Sequence, residues 1–188
     1  MTLLEIHPLN QLDRPRLQEL MAGYSSTQSY LVSKKEGDEQ TTFTLSLQLL
    51  AKPYWKNYWD CLADDDLHRY EGFLTDGFSL GAYRDGKWLG VVLAELQSWN
   101  RVLNVWELHV DPSYRRQGIG RSLLDELARR ARKAGLRALA VETQNTNVDA
   151  IHFYRKAGFS IERLDLSFYA NDDLETGEVA IFMKRTLV

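Results

Sequence analysis

Residues 110–121 read Val-Asp-Pro-Ser-Tyr-Arg-Arg-Gln-Gly-Ile-Gly-Arg. A strand pattern ends there, a short loop turns, and a helix pattern begins at two glycines. Such a helix start presents unpaired N–H groups and the positive end of the helix dipole, so backbone donors alone can hold an anion. Glycines let the backbone approach a bulky pyrophosphate, and Arg115, Arg116 and Arg121 add charge. The plain alternative is a capped helix with a glycine-bearing turn. No Gly-Lys-Ser/Thr ends the loop, which excludes a nucleoside-triphosphate P-loop, and Gly118-Ile119-Gly120 lacks the third glycine of a dinucleotide fingerprint. What remains is Arg-x-x-Gly-x-Gly over 115–120.

That pattern resembles the pyrophosphate loop of the GNAT acetyltransferase superfamily, Arg/Gln-x-x-Gly-x-Gly/Ala. A second stretch, Asn147-x-x-Ala150-x-x-x-Tyr154-x-x-x-Gly158-Phe159, is similar to the family's second cofactor segment in order and distance. Three further stretches, 98–101 (Ser-Trp-Asn-Arg), 142–147 (Glu-Thr-Gln-Asn-Thr-Asn) and 164–170, are similar to streptothricin (nourseothricin) acetyltransferases, whereas the chain up to about residue 70 carries no such match.

The resemblance implies a mixed α/β fold of the GNAT type: a central mixed sheet that splays around the long helix's flanking strands, with helices on both faces. It implies acetyl-coenzyme A as co-substrate, with the pantetheine arm in the gap. The implied cofactor contacts are Leu108, His109 and Val110 on the strand, Arg115, Arg116, Gln117, Gly118, Ile119, Gly120, Arg121 and Ser122 at the loop and helix start, and Asn147 and Tyr154 downstream. The implied reaction is direct acetyl transfer to a primary amine of a small cationic acceptor, with streptothricin-type antibiotics as one class. Other readings stay open: a non-catalytic acyl-coenzyme A-binding module, or transfer to a protein or another small amine.

Transfer to an amine requires a neutral amine, a polarised thioester carbonyl and a protonated leaving thiolate. An aliphatic ammonium has a pKa of about 10, so a base or water relay must take its proton near neutral pH. Glu107 is the first candidate. By alternation it shares a face with Leu103, Val105 and His109, opposite Trp106 and Leu108; its alternatives are a partly solvated strand carboxylate and a substrate anchor. Glu142 is the competing carboxylate. Tyr154 is either a core tyrosine or, by the resemblance, the general acid that meets the thioester sulfur. A histidine is a common general base, yet the resemblance makes the position of His109 part of the backbone that pairs with pantetheine. Asn147 is expected to cap a helix and touch the cofactor. Glu142, Asp165 and Trp99 are the expected acceptor contacts. Cys61 lacks a nearby histidine in a recognisable nucleophile arrangement, and no metal set is expected.

Positioning these residues requires a series of elements. The patterning predicts strands over 2–6, 41–50, 77–83, 88–96, 102–110, 137–142, 161–169 and 179–185, with a turn at Arg84-Asp85-Gly86. Helices are predicted over 10–21 with Asn10 as cap, 64–70, 118–134 and 147–157. On the long helix, Asp125 with Arg129 and Glu126 with Arg130 are spaced for ion pairs. The polar stretch 24–40 reads as a loop or insertion, and 54–59 holds the aromatic cluster Tyr54, Trp55, Tyr58 and Trp59. A single domain over 1–188 is expected, with 1–75 as the variable acceptor side and 76–188 as the acetyl-coenzyme A-binding core.

The chain of 188 residues, with formal net charge −3, gives no global footprint for nucleic acid or an anionic membrane. Arg129, Arg130, Arg132 and Lys133 interleave with Asp125 and Glu126, as on a solvated face. One cysteine excludes an internal disulfide, and no apolar run reaches membrane-spanning length. The expectation is a cytoplasmic enzyme acting on a small-molecule amine, without nucleic acid or membrane as partner; a homodimer is left open.

Overall fold

The computed structural model describes residues 3–58 and 62–187, so Thr2, Trp59 and Cys61 lie outside the described residues. Along the chain run β1 (Glu5–Pro8), α1 (Arg14–Leu20), β2 (Tyr24–Glu36), β3 (Thr41–Lys56), α2 (Asp64–Gly72), β4 (Leu80–Arg84), β5 (Lys87–Gln97), β6 (Val102–Val110), α3 (Ile119–Lys133), β7 (Ala138–Gln144), α4 (Val148–Lys156), β8 (Ser160–Asp165), α5 (Asp173–Thr176) and β9 (Ala180–Thr186). They form two compact units: Met1–Gly23, Asn57–Val141 and Arg185–Val188 make the first, and Tyr24–Lys56 and Glu142–Lys184 the second.

The first unit is a sheet in the order β1-β4-β5-β6-β7, antiparallel except for the β6–β7 pair. Its near-continuous apolar strands are covered on both faces. On one side Leu17 and Leu20 of α1, and Tyr70 and Phe73 at the end of α2, join Val91 and Leu93 in a buried cluster. On the other lies α3, whose Leu123, Leu124, Leu127, Ala128 and Ala131 are buried. The fold is therefore mixed α/β with helices on both sheet faces, as expected. Gly90 permits the close approach of α3: a Cβ there would sit 3.1 Å from Ile119 Cγ2 and from the His109 carbonyl, and 3.3 Å from Leu123 Cδ1.

In the second unit, 24–36 is strand rather than loop. β2 pairs with β3 from Tyr24↔Lys56 to Glu36↔Thr41. The expectation failed because Ser, Thr, Gln and Lys residues dominate β2 and only Ser29, Tyr30 and Val32 on it are buried, too few for an apolar alternation to mark the strand. Asn145 ties this unit together. Its N–H donates to the Val179 carbonyl (2.9 Å) and its Oδ1 accepts from the Val179 N–H (2.8 Å), while its Nδ2 donates to the carbonyls of Tyr30 (2.9 Å) and Gly177 (3.0 Å). β8 and β9 pair antiparallel.

Other boundaries shift for local reasons. α1 starts at Arg14 because Asp13, not Asn10, accepts the Arg16 N–H, with Pro15 in the first turn. The last strand pair is shorter than expected: β8 stops at Asp165, and α5 follows. Asp125 pairs with Arg121 (2.7 Å) and Arg185 (3.0 Å) instead of Arg129, which joins Arg130 on Glu126. Among the described residues no helix is long and apolar enough to cross a membrane.

Gly90→Leu forces side-chain bulk against α3 and should cost about 1–3 kcal/mol of stability. Urea denaturation measures it; an unchanged midpoint at unchanged slope would contradict the close approach.

Candidate active site

β6 pairs with β5 from Gln97↔Val102 to Gly90↔Val110, with one slip: Leu93 faces Glu107 whereas Ala94 faces Val105. Trp106 is thus an extra residue, and such a bulge breaks the period of two and re-aims the side chains beyond it. Trp106 and Glu107 were expected on opposite faces; both reach α2. The Trp106 ring stacks on Phe73 with centroids 6.2 Å apart, lies 3.7 Å from the Arg69 guanidinium, and donates from Nε1 to Glu95 (2.8 Å). The Tyr70 hydroxyl donates to Glu107 Oε1 (2.6 Å), and His109 Nε2 lies 2.6 Å from Glu107 Oε2. Tyr58 meets His109 edge-on. Burial, and then the Glu107 charge, push the Tyr70 phenol well above its usual range, which keeps it a donor.

The β6–β7 ladder covers only Val102–Val105 against Ala138–Val141. From Trp106 to Val110, β6 therefore keeps β5 as its strand partner within this unit. Leu108, His109 and Val110, the expected pantetheine contacts, lie on this half-paired stretch.

The loop that follows is anchored from below. Asp111, 6% exposed, accepts the Ser113 N–H (2.9 Å) and pairs with Arg16 (2.6 Å) and more loosely with Lys87 (3.6 Å). Arg16 also donates to the Trp88 carbonyl. Burial alone would raise the Asp111 carboxyl, but its hydrogen bonds from Arg16 and Ser113 and the two nearby positive charges hold it below the ordinary carboxylate value. A 3-10 turn, Pro112–Tyr114, leads to Arg115, which donates to the carbonyls of Val110 (3.2 Å) and Gly23 (3.3 Å). Arg116 (φ 61°) and Gly118 (φ 84°) then take left-handed conformations. Gly118 is the N-cap of α3 and supplies no side-chain cap, so the first-turn N–H groups at Ile119, Gly120 and Arg121 depend on an outside acceptor. The first intrahelical bond runs from the Ser122 N–H to the Gly118 carbonyl (2.9 Å). Gln117 accepts weakly from Arg84 (3.5 Å), and the Arg121 guanidinium leans back on Asp125.

In the second unit Asn147 caps α4 by accepting the Ala150 N–H (3.2 Å). Tyr154, buried on that helix, packs its ring on Phe153 and Phe159. Glu142 accepts from the Tyr169 hydroxyl, to which Gln144 Nε2 also donates (3.1 Å). Asp165 ends β8 and accepts the Ser167 N–H (3.3 Å). Trp99 sits in the β5–β6 turn and is 85% exposed. About 17 Å of extended strand separates the start of β6 from Glu107, so the structure does not bring these two together. The sequence reading missed Tyr70, which no motif marks, and the group Tyr24, Tyr54, Lys56, Tyr169 and Glu178. Of these only Tyr169 fell within a matched stretch.

Asp111 has a lower pKa folded than unfolded, where it is about 3.9. Its contribution is therefore fully present above that value and is lost as pH falls through the folded one. Asp111→Asn should be less stable by about 2–3 kcal/mol at pH 7, with the gap to wild type closing below about pH 4. Denaturation across pH 2–8 checks it; a gap independent of pH would contradict the ion-pair anchor.

Residues 44–159 match the acetyltransferase (GNAT) family. The chain is 37% identical over 99 residues to streptothricin acetyltransferase of Streptomyces lavendulae, covering 53% of this chain and 52% of that one; it thus spans about half the length of that relative. It is 30% identical over 141 residues to the Escherichia coli streptothricin acetyltransferase, covering 74% of each. The crystal structure of nourseothricin acetyltransferase superposes with a TM-score of 0.71 at 26% identity, covering 98% of this chain and 99% of that one. The chain therefore belongs to the acetyltransferase (GNAT) family, enzymes whose co-substrate is acetyl-coenzyme A.

Proposed function

We propose that this chain moves the acetyl group of acetyl-coenzyme A directly to a primary amine of a small cationic acceptor, with streptothricin-type antibiotics as the acceptor class. The observation that carries the cofactor half is the turn from Arg115 to Arg121, where Gly118 starts a four-turn helix without a side-chain cap. Backbone donors and the helix dipole there suit a pyrophosphate. Arg115, which also braces the turn on two carbonyls, and Arg116, Gln117, Gly118, Ile119, Gly120, Arg121 and Ser122 make the cradle. The half-paired backbone of Leu108, His109 and Val110 suits a pantetheine amide chain. Asn147 and Tyr154 complete the cofactor contacts.

For the transfer itself, the amine nitrogen bonds to the thioester carbon and its proton passes to Glu107, with His109 and Tyr70 holding the carboxylate in place. As the carbon–sulfur bond breaks, the Tyr154 hydroxyl gives its proton to sulfur; Glu107 then releases the amine proton to solvent and Tyr154 takes one from solvent, so transfer from the neutral amine leaves no net proton change. Glu142, Asp165 and Trp99 are assigned to the acceptor. The likeness to relatives named streptothricin acetyltransferases supports the acceptor class.

Two measurements test this. Gly118→Asp adds a carboxylate to the cradle, whereas Gly118→Asn has nearly the same shape, tolerates the left-handed conformation and stays neutral. Calorimetry should show at least about tenfold weaker acetyl-coenzyme A binding for the aspartate variant than for the asparagine variant; equal affinities would remove the cradle assignment. A thiol-release assay with streptothricin, with mass spectrometry of the product, should show one acetyl group added. In it Tyr154→Phe should lower turnover about 100- to 10,000-fold with cofactor affinity little changed. Turnover within about twofold of wild type would return Tyr154 to a packing role, and acetylation of another amine but not streptothricin would refute the antibiotic class alone.

A further inference from the structure

Lys56, the last residue of β3, sets its Nζ 2.6 Å from Glu178 Oε1 and 5.3 Å from the centre of the Tyr169 ring. The Tyr169 hydroxyl donates to Glu142, the second carboxylate of the group. The Tyr54 hydroxyl approaches Glu178 Oε1 (3.4 Å), and its ring lies 6.1 Å from that of Tyr24, whose hydroxyl meets Thr146 Oγ1 at 2.7 Å. Tyr54, Thr146 and Glu178 also line a cavity of about 430 Å³ within the second unit.

Formally, two carboxylates and one ammonium leave a net charge of −1 among three phenol rings. Burial first, and then the charge of Glu142, keep the Tyr169 phenol protonated, so its ring presents a neutral, electron-rich face. The Lys56 and Glu178 side chains are 22% and 25% exposed, a partial burial at which an ion pair adds little stability. A carboxylate and an aromatic face are, however, the contacts that recognise an ammonium ligand.

We propose that Lys56 is a built-in occupant of the acceptor's cation subsite: Glu178 and the Tyr169 ring hold its ammonium where a substrate ammonium binds, with Tyr54 bonded to Glu178 and Glu142 bonded to Tyr169 around them. This deepens, and rests on, the reading of the enzyme as a cationic-amine acetyltransferase. The arriving cation takes the Glu178 carboxylate, and Lys56 swings to water on its flexible stem. No covalent step is involved. Lys56 sets selectivity by charge, because an acceptor with one cation gains less from the exchange than an acceptor with several.

The test is calorimetric binding of streptothricin, without acetyl-coenzyme A, to wild type, Lys56→Gln, Glu178→Gln and Lys52→Gln. Lys52, exposed on the same strand, controls for loss of one charge anywhere on the ribbon. Lys56→Gln should bind about tenfold tighter, Glu178→Gln about tenfold weaker, and Lys52→Gln within about twofold of wild type. Equal affinity of Lys56→Gln and Lys52→Gln, weaker binding by Lys56→Gln, or no binding by any of the four would overturn the subsite. Thermal unfolding checks each variant; if Glu178→Gln fails to fold, the comparison of the two lysine variants decides. Binding with this pattern but without acetyl transfer in the thiol-release assay would refute the acetylation reading and leave the cation subsite standing.

Discussion

The ladder between β6 and β7 stops at Val105, and the very next residue, Trp106, is the extra one in the ladder between β6 and β5. These two facts together shape the first unit's site. An edge without a strand partner leaves backbone donors and acceptors that must be satisfied by water or a ligand. The bulge rotates Glu107 out of strict alternation and onto the α2 side, where Tyr70 meets it. Without the bulge, parity with the buried Leu103 and Val105 would decide where that carboxylate points. With it, Tyr70 and His109 engage both oxygens, so the fold fixes the carboxylate's orientation.

The loop beyond β6 is irregular, and irregular backbone needs anchoring. Asp111 provides it through the Arg16 pair and the Ser113 N–H, both beneath the turn. A buried carboxylate without such partners would be strongly unfavourable; with them it commits the chain direction at the end of β6. Beyond it Arg116 and Gly118 take positive φ, and α3 starts at Gly118 without a side-chain cap. Arg115 donates from Nε and Nη2 to the carbonyls of Val110 and Gly23, so its side chain braces the loop as well.

The second unit solves a different problem. A two-stranded ribbon is marginal by itself, and this one is tied down by Asn145, whose side-chain amide and backbone join β2 to the segment before β9. That explains a polar residue buried to 3% exposure within the run 143–146. Its neighbours Tyr24, Tyr54, Tyr169 and Lys56 carry the polar chemistry of the unit, gathered around Glu142 and Glu178.

Elements whose signals are local are legible in the amino-acid order. β6 was read over its full span of 102–110, α3 was read from its apolar face and its flanking glycines, and Asn147 was recognised as a cap, because capping and helical periodicity depend on residues within about four positions of each other. The family, and with it the fold, was legible in two short motifs. Only the tertiary structure decided the rest. The strand at 24–36 buries Tyr30 and Val32 but is otherwise mostly Ser, Thr, Gln and Lys, and it is specified by its pairing with β3, a long-range partner that no local pattern reveals. The bulge at Trp106 is a property of two strands in register, so alternation along one strand misplaced Glu107. Tyr70 with Glu107, Arg16 with Asp111, and Lys56 with Glu178 are 37, 95 and 122 residues apart in sequence. A hydrogen bond over such a separation exists only once the sheet and its helices have closed.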